Sequence, residues 1–105
     1  MFYRICVLFS VPADIVFVNS ACGNAVNEGG SCILTCEPTG GNPHDYTYEW
    51  RFKQKYTKLF QVLTGQTSSE LTLQSVDYSD AGTYECRVTN LGGESSGTAN
   101  LDIHC

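Results

Sequence analysis

Residues 71–86 read Leu71-Thr-Leu-Gln-Ser-Val-Asp-Tyr-Ser-Asp-Ala-Gly-Thr-Tyr-Glu-Cys86. Leu71 and Leu73 alternate with polar neighbours, the period of a strand with one buried face. Ser79-Asp-Ala-Gly82 interrupts with turn chemistry. Tyr84, Cys86 and Val88 then resume the same alternation. The stretch predicts two short strands that face one core and are joined by a tight turn.

Working outward, the rest of the chain repeats this grammar. Asn27-Glu-Gly-Gly30, Pro38-Thr-Gly-Gly-Asn-Pro43 and Asn90-Leu-Gly-Gly93 are further punctuation. Between them, Cys32, Leu34 and Cys36 share one strand face, Tyr48, Trp50 and Phe52 another, and Ala99, Leu101 and Ile103 a third. No window carries a helical stripe. The reading is an all-β, antiparallel domain of short strands, without internal repeats.

Composition bounds what such a domain does. The chain has 105 residues, enough for one domain, which buries about two-thirds of its unfolded surface. With 42% hydrophobic and 16% charged residues it is not a disordered acidic tail. The net charge of −5 is opposite to that of a nucleic-acid-binding domain. Six cysteines point to an oxidising compartment. There is no run of 18 apolar residues to cross a membrane.

Two packed sheets each bury one face, and a pin between them holds the layers together. Cys36 and Cys86 both lie on inward faces, 50 positions apart, and Trp50 lies 14 positions after Cys36. A bridge closing a loop of that size would destabilise the unfolded chain by about 4 kcal/mol. Trp50 would fill the gap beside it.

The combination Cys36, Trp50, Asp80-x-Gly82-x-Tyr84-x-Cys86 resembles the immunoglobulin superfamily, over about residues 12–104. The resemblance implies a Greek-key β-sandwich of two antiparallel sheets with a Cys36–Cys86 disulfide. It implies a tyrosine corner at Tyr84, whose hydroxyl bonds to upstream backbone. Gly82 would permit the tight turn and the Asp80 carboxylate would stabilise it. Only 21 positions separate Trp50 from Leu71, little room for the extra strands of a variable-type domain. That spacing, Asn27-Glu-Gly-Gly-Ser31 and Asn90-x-Gly92 are similar to the intermediate type, the I-set. Such domains occur in adhesion molecules, receptor ectodomains, matrix proteins and titin-like muscle proteins.

Four cysteines depart from that pattern. Cys32 starts a strand at the end of the sandwich where Cys105 should finish, so a Cys32–Cys105 bridge is the first expectation. Cys6 and Cys22 pair with each other, leave with a leader, or bridge to another chain. Six cysteines allow 15 connectivities. Residues 1–11 read as an N-terminal extension or partial signal peptide, with Arg4 as its basic start and Ile5–Val11 as its apolar stretch. The competing reading of this region is an edge strand, Ala13–Asn19, entered through Pro12. The immunoglobulin-like domain is then 12–105. No Asn-x-Ser/Thr glycosylation site is present, since Asn19-Ser-Ala21 fails at its third position.

Catalytic and metal readings fare poorly. His44 sits in a Gly/Pro/Asn loop and His104 at the chain end, both read as solvated. A zinc site from Cys32, Cys36, His104 and Cys105 would consume the core cysteine and lacks zinc-finger spacing. The chain is expected to be no enzyme, with no metal and no cofactor. Tyr46, Tyr48 and Tyr56 are a candidate aromatic patch, although alternation places at least Tyr48 in the core.

The basic residues cluster: Arg51, Lys53, Lys55 and Lys58 are four of the six. Arg51 and Lys53 alternate with Trp50 and Phe52, so they point outward, and Arg87 points outward from a neighbouring strand. Arg51, Lys53 and Arg87 are therefore a candidate partner-binding patch for a protein or a glycosaminoglycan. Glu49 and Glu85 project from the same strands, so the rival reading is a solvated cross-strand charge ladder. The leading expectation is a non-catalytic recognition module, one domain of a longer extracellular adhesion or receptor protein. The alternative is an intracellular structural domain of a titin-like protein.

Overall fold

The computed structural model describes residues 15–23, 25–39 and 46–104. The extension 1–11, Pro12, His44, Cys6 and Cys105 lie outside the described residues. Among the described residues eight strands follow one another: β1 Ile15–Ser20, β2 Ala25–Asn27, β3 Cys32–Thr39, β4 Thr47–Gln54, β5 Gln61–Val62, β6 Glu70–Leu73, β7 Gly82–Asn90 and β8 Gly93–His104. They form a three-stranded sheet, β1-β3-β6, and a five-stranded sheet, β2-β8-β7-β4-β5. The chain changes sheet from β3 to β4, back at β6 and again at β7, which is a Greek-key β-sandwich.

The inner faces are those the alternation marked. Cys32, Leu34, Cys36, Trp50, Leu71, Tyr84, Cys86, Val88, Leu101 and Ile103 are all buried. Val76 and Ala81 join them from the segment between β6 and β7, where no period announces them. Trp50 is fully buried, and its indole N–H donates to the Ser68 carbonyl at 2.8 Å. The Cys36 amide donates to the Ser69 carbonyl at 2.7 Å. Through these two bonds the 63–69 segment is held across the core between β5 and β6.

Cys36 and Cys86 are joined across the sheets, with Cα atoms 6.2 Å apart. The expectation for Cys32 is corrected: its partner is Cys22, not Cys105, at a Cα separation of 5.6 Å. Strand pairing is the reason. β1 runs antiparallel to β3 down to Ser20 opposite Leu34, and the Ala21 amide continues the ladder to the Ile33 carbonyl at 3.0 Å. The next pair of positions is Cys22 and Cys32. Of the expected edge strand Ala13–Asn19, residues 15–19 lie in β1, at the edge of the three-stranded sheet, and Ala13 and Asp14 lie outside the described residues.

One pairing departs from the antiparallel expectation. After the Ala21–Gly23 turn, β2 joins the other sheet and pairs with β8 in parallel, Ala25 opposite Asp102 and Asn27 opposite His104. β1 meanwhile leans on β8: a Cβ at Gly97 would lie 2.1 Å from the Val16 carbonyl oxygen. A side chain there would force the two sheets apart.

The turn before β7 is tied by local chemistry. The Asp77 side chain accepts from the Ser79 amide, and the Asp80 carboxylate accepts from the Asp77 amide, each at 2.9 Å. These reciprocal bonds cap the short 3-10 turn Tyr78–Asp80. The Tyr84 hydroxyl donates to the Asp80 carbonyl at 2.6 Å. Gly82 lies at φ +154, and a Cβ there would meet the Lys53 carbonyl oxygen at 2.1 Å. Burial, aided by the Asp80 charge, pushes the Tyr84 phenol well above the ordinary tyrosine range. The phenol therefore stays a donor at physiological pH.

Tyr84→Phe removes that donor and leaves the Asp80 carbonyl unpaired. We expect a loss of about 1 to 3 kcal/mol in urea unfolding, and a larger loss for Gly82→Ala. Because the folded phenol titrates above the unfolded one, wild-type stability should fall as pH rises above about 10. The Tyr84→Phe variant should lack that part of the fall.

Candidate recognition surface

The outer face of β4, β7 and β8 carries charges fixed by register. Glu49 faces Arg87, Arg51 faces Glu85, and Lys53 faces Thr83. Arg51 Nη1 approaches Glu85 Oε1 at 3.4 Å, and Arg51 Nε lies 4.0 Å from Glu49. Arg87 Nη1 approaches Glu94 Oε1 at 3.5 Å. The structure thus brings Arg51, Lys53 and Arg87 onto one face, and it interleaves them with acids. Two of the three cations are paired, which is the arrangement of the charge ladder.

These pairs differ in depth. The Arg51 and Glu85 side chains are only 26% and 12% exposed, whereas Glu94 is 60% exposed. Arg51 Nε is buried and has no hydrogen-bond partner among the described residues. Arg51 is committed to the fold as much as to any partner, since a half-buried guanidinium that loses its nearer carboxylate is left poorly compensated.

Positive charge accumulates instead at the end of β4 and in the turn that follows it. Lys53 Nζ sits 5.6 Å from the Phe60 ring centroid, a cation–π distance. Lys55 Nζ reaches Asp102 Oδ1 at 2.7 Å, and this bond and the paired charges hold Lys55 above and Asp102 below their ordinary values. That pair is solvent-exposed and adds little to stability. Lys58 belongs to the β4–β5 turn, whose backbone is set by the Thr57 amide and hydroxyl donating to the Gln54 carbonyl.

The same turn displays Tyr56, a member of the candidate aromatic patch, and Leu59, which sequence reasoning missed. Tyr56 is 94% exposed and Leu59 79%, and Tyr56 takes a positive φ of 67, a conformation bulky residues rarely adopt. Their signal was present: residues 50–69 contain no Asp or Glu. Of the tyrosines considered as a patch, Tyr46 and Tyr48 are partly buried against the core and Tyr56 alone is displayed. His104 is exposed at the end of β8, and its carbonyl accepts from the Glu28 amide. Among the described residues no group of three or more His, Cys, Asp or Glu is placed to hold a metal.

A Greek-key sandwich with a cross-sheet disulfide, a buried tryptophan beside it and a tyrosine corner is an immunoglobulin-type domain. A family model described as "Immunoglobulin domain" matches residues 16–90, and the chain belongs to that family. It is 33% identical over 78 residues to human contactin-4, covering 74% of this chain and 7% of that protein. It is 36% identical over 68 residues to human Fc receptor-like protein 2, covering 65% of this chain and 13% of that protein. A structure of the N-terminal four Ig domains of Dscam1 isoform 4.44 superposes with TM-score 0.66 at 25% identity, over 90% of this chain and 21% of that one. The chain thus spans a small part of each relative's length.

The depth difference among ion pairs has a measurable consequence. Glu85→Ala should cost about 1 to 3 kcal/mol in chemical denaturation, because it strands a half-buried Arg51. Glu94→Ala should stay within about 0.5 kcal/mol of wild type.

Proposed function

We propose that this chain is a non-catalytic protein-recognition module, one immunoglobulin domain of a longer extracellular adhesion or receptor protein. The observation that carries this is the outer face of β4, β7 and β8 with the adjoining β4–β5 turn, where cations and displayed apolar side chains lie together on an immunoglobulin sandwich. Similarity to contactin-4 and to Fc receptor-like protein 2 is in keeping with it. Recognition works here by surface complementarity: lysines steer an acidic partner and the apolar side chains anchor it.

The I-set subtype is part of the proposal. It is supported by the split of the N-terminal strands between sheets and by the two-residue β5, with 21 positions separating Trp50 from Leu71. Of the cationic set proposed from sequence, Lys53 is the partner contact we favour, since Arg51 and Arg87 are engaged by Glu85 and Glu94. The same engagement makes a protein the preferred partner over a glycosaminoglycan, which needs a run of uncompensated cations.

Two bridges, Cys22–Cys32 and Cys36–Cys86, support an oxidising compartment over the intracellular structural reading. Thiol titration of native material, denatured without reductant, should find at most the two thiols of Cys6 and Cys105. Six free thiols would favour the intracellular reading. Beads coated with the full chain should adhere to intact cells, and Lys53→Glu should weaken adhesion several-fold. Adhesion that ignores this charge reversal assigns recognition to another face, and beads that adhere to no cell type count against the module itself.

A further inference from the structure

Charge is segregated in this molecule. Residues 50–69 carry four of the six Lys and Arg and none of the eleven Asp and Glu. Arg51 and Lys55 are paired with Glu85 and Asp102, while Lys53 and Lys58 have no carboxylate within 4 Å among the described residues. Beside them Tyr56, Leu59 and Val62 are 94%, 79% and 49% exposed. Val62 lies opposite Arg51 and therefore shares the outer face with it. The turn is thus a cationic tip with apolar anchors, and the positive φ of Tyr56 holds an aromatic ring out in solvent.

The complementary surface is on the other sheet of the same molecule. β1, β3 and β6 contain no Lys or Arg. Their outer face presents Glu37 and Glu70, both exposed; Glu70 pairs with Thr35, which puts the two carboxylates on diagonal positions of adjacent strands. Ile33 is 41% exposed on that face. Beside it an open groove of about 690 Å³ is lined by Ala21, Cys22, Ile33, Thr72 and Gln74. Such a groove accepts a side chain the size of leucine or tyrosine.

We propose that the occupant of the β4–β5 turn is a second copy of this chain, docked tip to flank. Lys53 and Lys58 of one copy face Glu70 and Glu37 of the next, and Tyr56 and Leu59 enter the groove beside Ile33. The two patches differ, so the contact is heterologous and extends into a row or a closed ring rather than a symmetric dimer. One turn against one sheet face is a small interface, so each contact is weak and salt-sensitive, and arrays of tethered copies gain from multivalency. The inference rests on the recognition-module reading. A monomer whose beads still adhere to cells through Lys53 would overturn self-docking and leave that reading standing.

The test is sedimentation velocity on the full chain from about 10 μM to about 1 mM, in about 0.05 M and about 0.5 M salt. Wild type should associate with rising concentration in low salt and dissociate in high salt. Lys53→Glu with Lys58→Glu should stay monomeric, as should Glu37→Lys with Glu70→Lys. An equimolar mixture of the two variants should associate again, because each reversed patch finds its complement. The sites are exposed, and unchanged thermal unfolding of each variant verifies its fold. Wild type that remains monomeric throughout overturns the proposal, including the case in which it binds phosphatidylserine vesicles instead. So does association that either reversal fails to remove, or a mixture that stays monomeric.

Discussion

The Cys36–Cys86 bridge, with Trp50 buried between the same two sheets, is the constraint on which the rest of the structure depends. It joins β3 to β7, one strand from each sheet, and so sets which faces look inward. Once those faces are set, period-two alternation dictates every outward position on β4 and β7, the proposed recognition surface included. The indole N–H anchors the 63–69 segment through Ser68, and that segment carries the chain from β5 back to the other sheet. A sandwich of about a hundred residues has little apolar core to spare, so one covalent tie and one large ring count for much of its margin.

How much was legible depended on how local each feature is. Tyr84, Gly82 and Asp80 act within a few residues of one another, and their spacing carries their geometry. The inner faces were legible because alternation is a strand-by-strand property. The Cys22–Cys32 bridge was not, because it arises where β1 ends against the start of β3, and that register is set by packing rather than by either segment alone. Pairing of Arg51 with Glu85 joins residues 34 positions apart in sequence, and only the β4–β7 register brings them together. Val76 and Ala81 were missed as core for a similar reason: they enter it from a connection, not from a strand. The apolar character of the β4–β5 turn was visible letter by letter, but exposure is a property of the fold.

Charge on this molecule does two different jobs. On the outer face of β4, β7 and β8 acids and bases alternate across strands and nearly cancel, which favours one register over its neighbours. At the β4–β5 turn no acid is near in sequence, and positive charge is left to act at longer range. The acidic excess lies elsewhere, including the flank built from β3 and β6. An overall charge of −5 therefore conceals a molecule with distinct electrical ends.

The two disulfides also set how far the domain can be stretched. Of the 89 steps from Ile15 to His104, ten lie inside the Cys22–Cys32 loop and fifty inside the Cys36–Cys86 loop. Tension applied across these positions travels through the sulfurs and bypasses β2, β4, β5 and β6 entirely. Even with every hydrogen bond broken, the path between the ends lengthens to about 100 Å rather than about 300 Å. Under pulling force the domain is a short, covalently limited link, and the strands within the larger loop stay off the load path.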